Sequence, residues 1–231
     1  MLMKKPVILL SGLFVSLISW SQINVFGVHG LVKIPDAYVT NNGKGFIAYN
    51  YFDDYRATSV LTKTRFSTFS LGAGLHSRLE AGIRLVTFTE FGGNNHDRNL
   101  NVKWVVFPEK GEWPQMAVGS QDLIGTKRFH AEYVVFSKTL AMKPWHVVPT
   151  AGYAVKWIEK FTGDKAGDHR LNGFFTGLSG DYRKIFFIML DYDGTYWNMA
   201  VQWRFRDFLQ LTTFTDENQY YGIHASVMIT L

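Results

Sequence analysis

Hydrophobic positions recur every second residue along most of this chain. Trp197, Met199, Val201, Trp203 and Phe205 hold one parity; Tyr196, Asn198, Gln202, Arg204 and Arg206 hold the other, with only Ala200 apolar among them. The final segment repeats the pattern. Tyr221, Ile223, Ala225, Val227, Ile229 and Leu231 alternate with Tyr220, Gly222, His224, Ser226, Met228 and Thr230. Period two is the signature of a strand, because successive side chains point to opposite faces of a sheet. Since the chain ends flush on this segment, the last strand is expected to close the sheet.

Upstream, Phe69, Leu71, Ala73 and Leu75 alternate with Ser70, Gly72, Gly74 and His76. A tight turn at Ser77-Arg78 then leads to Leu79, Ala81, Ile83 and Leu85 against Glu80, Gly82 and Arg84, the clearest hairpin of the first half. Gly45 to Phe52 reads as the first strand, aromatic on both parities. Leu100, Val102, Trp104 and Val106 oppose Asn99, Asn101 and Lys103. Phe129, Ala131, Tyr133 and Val135 oppose Arg128, His130 and Glu132, and Ala151, Tyr153, Val155 and Trp157 oppose Thr150, Gly152, Ala154 and Lys156. Less regular strands are read at Met116–Leu123, Asn172–Ser179, Ile185–Asp193 and Leu209–Thr213, with turns at Asp193-Gly194 and Arg206-Asp207.

The total is about twelve strands, with lengths near the roughly 9–11 residues that cross a bilayer at a tilt. An even count puts both chain ends on the periplasmic side. The longest connections, Asp53–Arg65, Gly92–Asp97 and Glu159–Arg170, then fall on the extracellular side.

The pattern predicts an all-β fold: an antiparallel closed transmembrane β-barrel. Its apolar parity would meet lipid and its polar parity would line the lumen. The inward set is then Ser70, Gly72, Gly74, Glu80, Gly82, Arg84, Asn99, Asn101, Lys103, Arg128, His130, Glu132, Thr150, Lys156, Asn198, Gln202, Arg204 and His224. The glycines would leave room for long side chains from neighbouring strands. Glu80 and Glu132 are expected to pair with basic residues across the lumen and so plug it. Outward, Trp104, Trp157, Trp197, Trp203, Tyr133, Tyr153 and Tyr221 suit the aromatic girdles of such barrels. A soluble lipocalin-like barrel or sandwich carries the same alternation, with the aromatic face as its core.

Composition sharpens this picture. Aromatics make up 16% and there are 21 glycines, a mixture that fits strands and argues against a helical bundle. Charged residues reach only 19%, sparse for a water-soluble surface. Yet no stretch beyond the first twenty-odd residues is apolar enough for a membrane helix. The start reads as an export signal over residues 1–21. Lys4 and Lys5 precede the hydrophobic run Val7–Ile18, with an exit at Ser19–Gln22 and cleavage expected after Ser21. Residues 22–42 read as a short periplasmic lead-in, and residues 43–231 as the barrel. There is no cysteine, which excludes disulfides and a cysteine-borne lipid anchor.

Motifs for bond chemistry are missing. The seven histidines are scattered without ligand spacing, so neither a metal nor a cofactor is expected. Gly119–Gly125 lacks the Gly-Lys-Ser or Gly-Lys-Thr of a phosphate loop. No basic stripe with exposed aromatics points to nucleic acid. Asp122, Asp191 and Asp193 are the carboxylates that a glycan-cleaving barrel would use.

Two stretches carry a resemblance. Gly30-Leu31-Val32-Lys33-Ile34-Pro35-Asp36-Ala37 fits an opening Gly-Leu-x-x-x-Pro-x-Ala. The run Ala117-Val118-Gly119-Ser120-Gln121-Asp122-Leu123-Ile124-Gly125-Thr126, followed by Phe129, Glu132-Tyr133-Val134-Val135 and Ser137-Lys138, fits a strand–turn–strand signature. In both, over roughly Gly27 to Leu231, the chain resembles the YjbH-like family of exopolysaccharide-associated outer-membrane proteins. The resemblance implies a barrel in the cell outer membrane that serves exopolysaccharide production or export as a narrow channel or scaffold. Its partners would be outer-membrane lipid and exopolysaccharide or envelope export proteins. No catalytic residue comes with it. The residues expected to matter are Gln121, Asp122, Thr126, Arg128 and Glu132 of the signature, with Glu80, Arg84 and Arg204 of the lumen. A barrel enzyme acting on envelope lipid or glycan, and a soluble secreted β domain that binds a ligand, are the alternatives.

Overall fold

Apart from Ala131–Ser137 and Leu140–Met142, which lie end to end, consecutive strands pair antiparallel, which is what short turns between alternating segments require. The computed structural model describes residues 22–55, 64–88, 96–125, 127, 129–155, 171–206, 208–217 and 220–231. Its strands are β1 (Lys44–Tyr55), β2 (Thr64–His76), β3 (Leu79–Phe88), β4 (His96–Phe107), β5 (Gln115–Gln121), β6 (Ala131–Ser137), β7 (Leu140–Met142), β8 (Trp145–Val155), β9 (Gly173–Tyr182), β10 (Phe186–Tyr192), β11 (Trp197–Phe205), β12 (Leu209–Asp216) and β13 (Tyr220–Thr230). The export signal, Trp157, Lys156, Thr126, Arg128, the Glu159–Arg170 loop and the central parts of the other two long connections lie outside the described residues.

The barrel is closed and has twelve strand positions. β6 and β7 share one of them, because both pair with β8 in a single continuous register, Ser137 opposite Thr150 and then Leu140 opposite Val147. The last strand closes the sheet as expected. β13 pairs with β1 from Lys44–Thr230 to Phe52–Gly222. Closure through β6–β8 and β1–β13 leaves only the three-residue β7 paired on one side among the described strands, so almost no backbone N–H and C=O groups are left unpaired toward lipid.

The two faces separate as the alternation requires. In β11 Asn198, Ala200, Gln202 and Arg204 are buried, while Trp197, Met199, Val201, Trp203 and Phe205 are exposed. Around the cylinder the exposed side chains include Ile47, Leu71, Ile83, Trp104, Tyr153, Phe174, Ile188, Val201, Ile223 and Ile229. So continuous an apolar exterior would aggregate in water, and it matches the lipid-facing band of a membrane barrel.

One strand reverses its expected parity. In β6, Ala131, Tyr133, Val135 and Ser137 are buried and Glu132 and Phe136 stand on the outward side. Tyr133 is therefore not part of an outer aromatic girdle, and Glu132 does not line the lumen. The reason is local packing. The Tyr133 ring lies over Gly119 of β5, where an added Cβ would come within 2.4 Å of it, and meets Phe175 edge-on at 6.5 Å.

Candidate functional site

The lumen is occupied by the chain itself. Gln22 to Val39, the start of the lead-in, are buried almost throughout, although this segment has little strand periodicity. The segment folds back on itself, with isolated bridges between Ile23 and His29 and between Gly30 and Pro35. Its apolar residues Val25, Phe26, Leu31, Val32, Ile34, Ala37 and Val39 join one core with inward side chains of the wall, among them Phe52, Phe66, Phe175, Phe187 and Phe214. Two wall glycines let its backbone approach. A Cβ on Gly82 would come within 2.7 Å of the Gly27 carbonyl, and one on Gly74 within 2.1 Å of the Thr40 carbonyl. The room left by these glycines goes to this plug rather than to long side chains of neighbouring strands.

Glu80 is the first anchor. One carboxylate oxygen accepts the His29 N–H at 2.8 Å. The other accepts the Thr40 N–H and hydroxyl, each at 2.6 Å. Lys103, on the neighbouring strand, donates to the His29 carbonyl at 2.5 Å and lies 3.6 Å from both Glu80 and Asp36. The Asp36 carboxylate also holds the His29 Nδ1 at 2.8 Å from each oxygen. Burial pushes the Asp36 carboxyl up, but His29 and Lys103 outweigh it and hold the group below the usual carboxylate range. The charges expected to pair across the lumen thus pair with the plug and with an adjacent strand.

Asp191 is the second anchor. A single oxygen accepts three consecutive plug amides, Val32 at 2.8 Å, Lys33 at 2.9 Å and Ile34 at 3.4 Å. Its other oxygen accepts the Asn198 side chain at 2.8 Å. Lys33 then bonds to Asp216 and lies 3.5 Å from Asp193. Both oxygens of the buried Asp191 carboxylate are thus engaged, by three backbone N–H groups and the Asn198 amide, as low dielectric demands.

The residues expected to matter divide between these surroundings. The Arg84 guanidinium sits 4.6 Å from the Phe26 ring and 4.6 Å from the Phe129 ring, clasping plug to wall, and its Nε donates to Asn99 at 3.0 Å. Asp122 is buried and caps the signature turn. It accepts the Phe129 N–H at 2.9 Å, while its own N–H donates to Asn101 at 2.9 Å. Asn101 in turn donates to the Phe26 carbonyl at 2.6 Å, so the turn is wired to the plug through one side chain. Gln121 is buried at the end of β5. Arg204 is also buried, with its guanidinium 4.4 Å from the Phe187 ring. Glu132 lies 2.6 Å from the His130 Nε2. Lys33, Asp36 and His29 were missed by alternation, since they lie in the stretch without period. The Gly30–Ala37 motif is the signal for Lys33 and Asp36, and His29 stands just ahead of it.

The carboxylates available for hydrolysis are engaged structurally. Asp193 accepts the Thr195 and Tyr196 amides at 3.0 and 2.8 Å, as a turn-forming aspartate does. Among the described residues no group of three or more His, Cys, Asp or Glu side chains is arranged to hold a metal ion.

Both stretches that carried the resemblance, the plug motif and the β5–β6 turn, lie within a family match. The family described as exopolysaccharide biosynthesis protein YbjH (YjbH) matches residues 22–170, well over half of the chain. The chain belongs to the YjbH family. The match runs from the first plug residue through β8, so it takes in both the plug and the wall strands that carry Glu80 and Lys103. No curated protein matches the chain. Among solved structures, the COG4313 outer membrane channel of Pseudomonas putida F1 superposes with a TM-score of 0.47 at 12% identity, over 86% of this chain and 100% of that one. Outer membrane phospholipase A of Escherichia coli gives 0.37 at 9% identity, over 83% and 98%. The calcium-bound phospholipase dimer of Salmonella typhi gives 0.36 at 10%, over 90% and 96%. These likenesses are distant, and none bears on what this chain does.

Proposed function

We propose that this YjbH-family protein is an outer-membrane barrel that serves exopolysaccharide production or export as a closed scaffold, with no bond chemistry of its own. The observation that carries the scaffold reading is the occupied lumen: residues 22–39 fill the space where a conduit would run, bonded to Glu80, Lys103, Asn101 and Asp191. The apolar exterior supports the membrane setting, and the engagement of Asp122, Asp191 and Asp193 in backbone hydrogen bonds supports a role without catalysis.

A disulfide lock separates scaffold from conduit. The chain has no cysteine, and the Ala37 N–H donates to the Ser137 hydroxyl at 2.9 Å, so Ala37→Cys with Ser137→Cys ties plug to wall by a single bond. In a deletion strain, the oxidised double variant is expected to restore exopolysaccharide output as well as the parent does. Output that collapses when the pair is oxidised and returns with reductant would show that the plug must leave, and the scaffold reading would fail.

A further inference from the structure

Among the described residues four exposed or half-exposed cations stand in backbone that works against them; one, Lys127 (φ +57°), lies in the β5–β6 turn, and the other three share the opposite end of the barrel. Arg183 and Lys184 have φ of +51° and +60°, and Arg206 has φ of +49°. Left-handed backbone crowds a Cβ, and glycine or asparagine avoids that cost. The Ile185 N–H closes the turn onto the Tyr182 carbonyl at 3.0 Å. With both central residues at positive φ this is a type I′ hairpin turn, which favours Asn-Gly. Arg-Lys is poor chemistry for the turn, so the two side chains answer to something outside it.

Their location says what. Lys143 lies between β7 and β8, Arg183 and Lys184 between β9 and β10, and Arg206 between β11 and β12. These turns belong to successive hairpins around the barrel, at the end that carries Lys44 and Thr230. One step toward the middle of the wall runs an outward row in register across four strands: Trp145 opposite Tyr182, Tyr182 opposite Phe186, and Phe186 opposite Trp203. The Arg183 guanidinium sits 5.3 Å from the Tyr182 ring. Aromatics at the acyl boundary with cations just beyond them reproduce the layering of a membrane interface, where phosphates lie outside the glycerol. Elsewhere on this rim the cations are sparser: the β2–β3 turn carries the single Arg78, and at the β4–β5 tip Lys110 is flanked by Glu109 and Glu112. Among the described residues one acid lies near the arc, and a second is placed there by the sequence alone. Asp181 is drawn to His146 at 3.1 Å and to the Lys184 N–H at 2.8 Å, and Asp207 follows Arg206 in the sequence.

We propose that this arc binds the phosphates of anionic glycerophospholipid headgroups in the leaflet at its end of the barrel, fixing one flank of the protein to the lipid. The site rests on the membrane reading above. It adds a ligand class and the side chains that hold it.

The test uses the folded barrel in vesicles of phosphatidylcholine mixed with phosphatidylglycerol, then counts each lipid retained after extraction by native mass spectrometry. The parent is expected to retain phosphatidylglycerol preferentially. Arg183→Asn with Lys184→Gly gives the turn its favoured residues, so the barrel should unfold at higher temperature on a heat-shift gel while losing that preference. Arg206→Gln, away from the altered turn, should weaken it as well. The expected loss is on the order of fivefold for each cation removed. Equal retention of the two lipids by the parent, or undiminished preference in all variants, would overturn the site. A parent that gives no heat-shifted band in vesicles of either lipid would overturn the membrane reading and the site with it.

Discussion

Glu80 and Lys103 are fully buried, and between them they fix His29, Thr40 and Asp36 of the plug. Removing one partner of such a pair leaves an uncompensated charge in low dielectric, a loss of about 3–5 kcal/mol. Glu80→Ala is therefore expected to lower the unfolding free energy from denaturant titration by that order, and Glu80→Gln by less, because an amide still accepts the amide hydrogen of His29. A Glu80→Ala barrel as stable as the parent would show that the plug is held by apolar contact alone. Glu80 and Lys103 were legible as inward residues, because each sits on the polar parity of a regular strand. Their partners were not. Asp36 and His29 lie where no periodicity points a side chain anywhere, and only the folded-back path of residues 22–39 brings them to the wall.

At the scale of elements, alternation succeeded wherever the two sides of a strand differ. β11 and β13 face lipid on one side and a polar lumen wall on the other, and their parities follow the sequence, in β13 as far as Val227. It failed at β6 because Tyr133 and Val135 turn inward against apolar neighbours, so an apolar parity there does not mean lipid. The same cause makes β1 aromatic on both parities: Phe46 and Phe52 are buried while Tyr49 and Tyr51 are exposed. Alternation reports a contrast between environments, and an apolar plug erases that contrast. The β5–β6 pair offers a check. Gly119→Leu places a side chain within 2.4 Å of the Tyr133 ring and should cost about 1–3 kcal/mol by overpacking. Adding Tyr133→Ala should recover part of that loss, seen as a coupling in a double-mutant cycle of heat-shift temperatures. Additive effects would mean that the two residues do not share the space.

The whole molecule is a twelve-position cylinder whose interior is finished by its own leading segment. Barrels of about eight strands fill with side chains and those of about sixteen leave a channel, so an intermediate ring needs a further filler or conducts. Residues 22–39 supply that filler with backbone as well as side chains, which is why the wall donates and accepts so many bonds to peptide groups. Strand number and closure could be read from the sequence, because turn spacing and parity are local. The filled lumen could not, because it depends on contacts such as Val32 with Asp191 across 159 positions. The most direct measurement is conductance of the purified full-length barrel in a planar bilayer. A sealed lumen predicts insertion events without steady current. A stable open pore from the unmodified protein would contradict it.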